Sequence, residues 1–283
     1  MTAKQIQYTS ETLKLRSSQI TKTVELLLDG ATVPFIARYR KEITESLDEV
    51  EILDIKKLHE KFLEADKRRE AILKSIQEQG KLTPELENSL KNALFVNELE
   101  DIYLPYKQKK KTRATIAIEN GLEPLAKIIF GQKDRDIENI AKKYVSDKVN
   151  NTAEALSGAR DIIAEWINED INARNKIRTV FEKSGVLTSK LKKGKESEAV
   201  KYKDYFDYSE AGRSIPSHRY LAIKRGEEEG FLKVNIDIEL EYAIDLLERI
   251  YLQGFTEPKQ QVGLAIEDSL KRLLLPSLEK EFD

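Results

Sequence analysis

Residues 48–79, DEVEILDIKKLHEKFLEADKRREAILKSIQEQ, decide the fold. Asp48 is a helix-capping residue type. Apolar side chains then return at Ile55, Leu58, Phe62, Ala65, Ile72 and Ile76 in steps of three and four. That is the period of one helix face, with Arg69 in the single polar position of the seam. Glu64 with Arg68, and Glu70 with Lys74, stand four apart in the order that favours a helix. A helix of this length spans roughly 45–50 Å, too long for the middle of a small compact domain. It is expected to pack against other helices of its own chain, in a monomer, because the charged seam position disfavours a coiled-coil dimer. His59 lies among Lys56, Lys57 and Lys61, and a solvated face is the expectation for it.

On the N-terminal side, Ile20, Val24, Leu27 and Leu28 mark one face of an earlier helix that stops at Asp29-Gly30. Thr32 and Pro34 then open a short helix, PFIARYRK. Two short helices around a glycine turn have the layout of a helix-turn-helix. Arg38, Arg40 and Lys41 would line the exposed side of the second. On the C-terminal side, Gly80 ends the long helix and Thr83-Pro84 starts another. Residues 152–183 are expected to form a second very long helix, with Leu156, Ala159, Ile163, Trp166, Ile167, Ile177, Val180 and Phe181 on its apolar side. Residues 186–191 and 231–236 are short strand candidates. Helices are expected over 238–252 and 257–275, the last stopped at Pro276. The fold class is therefore mainly all-α: an elongated multihelical assembly with a helix-turn-helix-like N-terminus, two very long helices and a minor β element. Two regions are expected, 1–150 and 151–283.

Composition narrows the function. The 48 basic residues are balanced by 50 acidic ones, so a polyanion would have to meet a local patch and not a globally cationic surface. There is no cysteine, which excludes disulfides, thiol catalysis and cysteine-ligated zinc or iron–sulfur centres. No signal-peptide core opens the chain and no run of about 18 apolar residues interrupts it, so the expectation is a cytoplasmic protein away from membranes. Phosphate-loop, dinucleotide, HExxH and GxSxG patterns are missing. Ser217 and His218 are adjacent and would point apart on a helix, so they form no dyad. No catalytic residue, metal ligand or cofactor is assigned. Asp204, Asp207 and Glu210 recur every third residue and on a helix would share one side and could hold Mg²⁺, but the interleaved Tyr205, Phe206 and Tyr208 argue for a half-buried segment with a charged exterior.

The richest candidate for binding is residues 97–117, NELEDIYLPYKQKKKTRATIA. Lys107, Lys109, Lys110, Lys111 and Arg113 fall within seven residues with no acid among them. Such a run either meets phosphates or is a solvated loop. Tyr103 and Tyr106 flank Pro105 and would either stack on bases or form a packed corner. Lys190, Lys192, Lys193 and Lys195, diluted by Glu196 and Glu198, rank below this run, as do Arg219, Lys224 and Arg225.

Residues 32–42 (TVPFIARYRKE), 79–86 (QGKLTPEL), the 97–117 stretch, 204–210 (DYFDYSE), 215–230 (IPSHRYLAIKRGEEEG) and 271–281 (KRLLLPSLEKE) resemble the bacterial Tex family of transcription accessory proteins, in its N-terminal portion. The resemblance implies a non-enzymatic protein associated with RNA or DNA and with the transcription machinery. It also implies further domains in the family that this chain is expected to lack: a nuclease-like fold, helix-hairpin-helix elements and an OB-fold that binds RNA. The architecture is similar to the core of a eukaryotic elongation factor and histone chaperone. Two functions follow. Lys107, Lys109, Lys110, Lys111 and Arg113, with Arg38, Arg40 and Lys41 second, would make weak sequence-independent phosphate contacts. Alternatively the chain is a protein-interaction scaffold that positions RNA-binding domains, with residues 238–275 as a docking face.

Overall fold

The computed structural model describes residues 1–107, 111–253 and 256–282. Its contacts divide the chain into two compact units, Met1–Lys107 and Gln108–Asp283. The first holds α1 (Ala3–Leu13), α2 (Ser17–Leu28), α3 (Val33–Tyr39), α4 (Lys41–Thr44), α5 (Glu49–Glu78), α6 (Pro84–Asn92) and α7 (Val96–Tyr103), then a 3₁₀ turn, Leu104–Tyr106. The second holds α8 (Arg113–Glu119), α9 (Glu123–Gly131), α10 (Ile137–Lys142), α11 (Thr152–Glu169), α12 (Ile171–Ser184), β1 (Val186–Leu191), β2 (Asp207–Ala211), α13 (Ser217–Glu228), β3 (Leu232–Asp237), α14 (Leu240–Tyr251), α15 (Thr256–Ser269) and α16 (Leu275–Phe282). The protein is mainly helical, as the sequence periodicity predicts.

α5 is the spine of the first unit. Asp48 caps it, accepting from the Glu51 amide at 2.8 Å, while Glu51 accepts from the Asp48 amide at 2.9 Å. That reciprocal box satisfies two amides a helix start leaves open. One helix serves two cores. Ile52 and Ile55 pack with Ile20, Val24, Ile36 and Leu47, while Ala65, Ile72 and Ile76 pack with Leu90, Leu99 and Tyr103. Arg69, the polar break in the stripe, has a structural task there. Its Nε donates to the Leu90 carbonyl at 2.9 Å and one terminal nitrogen to the Ala93 carbonyl at 2.7 Å. These are carbonyls at the C-terminal end of α6, where a helix leaves acceptors without partners.

The stripe differs from expectation at one position. Leu58 is half-buried, whereas His59 is 93% buried, with neither ring nitrogen hydrogen-bonded among the described residues. A step of four from Ile55 and three to Phe62 carries it inward despite its lysine neighbours. Burial, chiefly, holds its pKa below the ordinary 6.5, aided by the N-terminal amine and opposed by Glu60 and Asp66. Because the folded-state pKa is depressed, the unfolded chain takes up the proton first. His59 should therefore weaken the fold as pH falls below about 6.5, by up to ~1.4 kcal/mol per pH unit. Denaturant titrations between pH 5 and 7.5 test this: His59→Leu should have the shallower pH dependence, and identical slopes would exclude the effect.

In the second unit, α11 lies against α8, α9 and α15, burying Ala155, Ala159, Ile162, Ile163 and Ile167 in one core with Leu125, Ile129, Val262, Ile266, Leu270 and Leu274. Ala114, Ala117, Leu122, Ile137 and Val149 belong to that same core. Residues 114–149 therefore fold with the second unit, whereas the sequence reading draws its line at 150. Gly158 lets α11 pass close to α8 and α9: a Cβ there would lie 2.4 Å from Leu122 Cδ1 and 3.3 Å from Ala117 Cβ, so Leu122 would have to shift. The second very long helix is two helices. Asp170 leaves helical geometry at φ −73, ψ 115, ends α11 and caps α12, accepting from the Asn172 amide at 2.8 Å. It also accepts from the Tyr251 hydroxyl, whose pKa is raised by burial and then by that bond. Past α15, a wide π turn, Leu270–Leu274, leads into α16, so the helix runs on through Pro276. Leu270 and Leu274 are fully buried in the unit's own core, which removes them from any docking face over 238–275.

The β element has three strands in the order β2-β1-β3, both pairings antiparallel. β1 and β3 follow the sequence reading, and β2 is additional. One face carries Leu187, Leu232 and Val234 against Tyr202 and Ile223; the other carries Thr188, Ser209 and Asn235 in register and is solvated.

Candidate nucleic-acid interface

α3 and the start of α4 bring three cations and two exposed rings together. Gly30, at φ +86, takes the left-handed conformation that turns the chain out of α2. Pro34 sits in the first turn of α3, where its missing N–H costs no helix bond. Ile36 and Ala37 bury one side of this seven-residue helix into the core with Ile20 and Ile52. Anchoring that side sends Phe35, Arg38 and Tyr39 outward. Phe35 is 40% and Tyr39 62% exposed, with ring centroids 5.4 Å apart and planes tilted by 44°. The Arg40 guanidinium lies 5.1 Å from the Phe35 centroid, and one of its nitrogens donates to the Tyr39 carbonyl at 3.0 Å. Lys41 follows, exposed, at the start of α4. Within the described residues Arg38, Arg40 and Lys41 make no ion pair. The sequence reading named the three cations and passed over the two rings. Their signal was available: an aromatic pair four residues apart beside an Ile-Ala anchor.

The 107–113 run is less free than its composition suggests. Lys107 stands 3.9 Å from Glu100, which also pairs with Arg68 at 2.5 Å. Lys111 stands 3.4 Å from Glu119. Arg113 is exposed at the first residue of α8, after the capping Thr112. Lys109 and Lys110 lie outside the described residues. Exposed pairs like these are worth ~0–1 kcal/mol, so each lysine can exchange its carboxylate for a phosphate at small cost. The two tyrosines beside the run form a packed corner. Tyr103 is 9% exposed, its hydroxyl is 2.9 Å from Ser75 Oγ, and the Tyr106 carbonyl accepts from Gln79 at 3.0 Å.

The lower-ranked clusters are partly neutralised. Lys195 pairs with Glu198 at 3.0 Å, Arg219 with Glu210 at 3.0 Å and Lys224 with Glu227 at 2.5 Å. Asp207 and Glu210 project from opposite faces of β2, and Asp204 belongs to the preceding 3₁₀ turn, so the three carboxylates do not share one side. Among the described residues no three metal-ligating side chains cluster, and no helix is long and apolar enough to cross a membrane. His218 is exposed.

Residues 3–77 match the family model for the Tex-like protein N-terminal domain, and residues 132–261 match that for the Tex central region. Protein tex of Bordetella pertussis is 44% identical over 226 residues, covering 79% of this chain and 29% of that protein. Transcriptional accessory protein Tex of Neisseria gonorrhoeae is 41% identical over 225 residues, covering 80% and 30%. S1 RNA-binding domain-containing protein 1 of Homo sapiens is 29% identical over 293 residues, covering 98% and 29%. The chain thus spans about 30% of the length of these curated relatives.

Proposed function

Because this chain belongs to the Tex family, we propose that it is a nucleic-acid-associated part of a transcription accessory factor: a helical scaffold with no chemistry of its own, making weak, sequence-independent phosphate contacts. One observation carries the reading. Arg38, Arg40 and Lys41 stand together around α3 without carboxylate partners among the described residues, although the whole chain has more acids than bases. Three cations close together on one anchored segment, none held by a carboxylate among the described residues, attract a polyanion more than scattered, paired ones do. Lys107, Lys109, Lys110, Lys111 and Arg113 are the second set. The names of the relatives, a transcriptional accessory protein and an S1 RNA-binding domain protein, support the same direction.

Fluorescence anisotropy with labelled single-stranded RNA and duplex DNA, from low to physiological salt, tests it. Each phosphate contact removed by Arg38→Ala, Lys41→Ala, Lys109→Ala, Lys110→Ala or Lys111→Ala should flatten the log–log salt slope by about 0.9 on duplex or about 0.7 on single strands. An unchanged slope would remove that residue from the interface. The ion pairs of Lys107 and Lys111 favour a second reading, a scaffold that positions RNA-binding domains without touching nucleic acid. Absence of binding even at low salt would establish it over the first.

A further inference from the structure

We infer that Phe35 and Tyr39 make the α3 surface a stacking platform for unpaired bases, so that it takes single strands in preference to duplex. This rests on the reading that the chain contacts nucleic acid. The geometry is a short ladder. The Tyr39 ring leans on the Phe35 ring, and the Arg40 guanidinium lies against Phe35, 5.1 Å from its centroid. The 62% exposure of Tyr39 leaves the outer end of the ladder open. Ile36 and Ala37 already anchor the helix in the core, and the two rings lie outside that core cluster. Protein interfaces also enrich Tyr, Phe and Arg; a nucleotide is favoured here because Arg38, Arg40 and Lys41 beside the rings make no ion pair among the described residues and so lack the acidic partner a phosphate would replace. An aromatic face bordered by cations matches a nucleotide, whose base stacks while its phosphate meets the charge. Duplex offers only phosphates, since its bases are already stacked on one another. The surface is sequence-tolerant because every base has a flat face.

The experiment compares an oligothymidylate with an abasic oligomer of the same length and phosphate number, on the 283-residue protein at low salt. The base-bearing strand should bind about tenfold or more tightly. Phe35→Ala and Tyr39→Leu should erase that preference while leaving the abasic affinity and its salt slope in place. Tyr39→Phe, which keeps a ring, should retain it. Both side chains are exposed, and an unchanged circular-dichroism melt confirms that each variant folds. Equal affinity for the two oligomers, or a preference that survives Phe35→Ala and Tyr39→Leu, overturns the stacking inference and leaves phosphate binding intact. No binding of either oligomer overturns both.

Discussion

Glu281→Gln should destabilise the second unit by ~2 kcal/mol. Glu281 lies on α16, with one oxygen 2.7 Å from Arg178 Nε and the other 3.3 Å from Arg174 and 3.1 Å from Arg178. The two arginine side chains are only 5% and 11% exposed. Charge buried on α12 is thus met by a carboxylate on a helix about 100 residues later in the chain. Glu281 is only partly covered, its side chain 24% exposed, so its loss costs less than in a fully buried pair, but the two arginines it meets stay desolvated. The amide keeps the shape and one acceptor, so the loss reads out charge and not packing. Denaturant unfolding followed by Trp166 fluorescence measures it, since Trp166 packs on Phe130 within the same unit. Placing Glu281→Gln on an Arg174→Met, Arg178→Met background should recover most of the loss. A change under ~1 kcal/mol in the single variant would show that the arginines' remaining contacts suffice.

Phe62→Ala should cost ~3–5 kcal/mol in the first unit. Phe62 is 1% exposed at the middle of α5, between the two cores that this helix serves. Its ring meets Phe95 at 5.5 Å and Tyr8 at 6.2 Å, and those two meet each other at 5.1 Å. The trio ties α1 and the start of α7 to the spine. A methyl in its place leaves a cavity that α5 cannot close by moving, because both of its halves are held by other contacts. Hydrogen exchange of the α5 amides should then rise throughout, and exchange raised only near residue 62 would mean that the site relaxes locally.

α5 was legible because its three signals agree: a capping aspartate, a three-four apolar step and Gly80 at the end, which takes φ +66. β1 and β3 were legible for a related reason, as each short β-rich run follows a glycine. The failures share a cause as well. Asp170 carried a capping signal, but continuous apolar spacing on both sides made one helix the simpler pattern. His59 was judged by its lysine neighbours, although helical phase decides which side of α5 it occupies. Leu270 and Leu274 had amphipathic spacing, which states that a face will be covered without naming the cover; here it is α11. At the candidate site, Arg38, Arg40, Lys41, Lys107, Lys111 and Arg113 could be named from composition. Pairing could not, because Glu100 and Glu119 reach their lysines only through the fold.

The sequence by itself determined the helical class, the spine helix and its caps, the absence of thiol chemistry and the family. These depend on residue period, local capping and composition, all of which act over a few residues along the chain. Only the tertiary structure decided which of the described cations meet a carboxylate, which rings remain in water and where the second long helix breaks. Those outcomes depend on the partner that each face meets across many residues, and burial and charge pairing are set by that partner rather than by the neighbours in sequence.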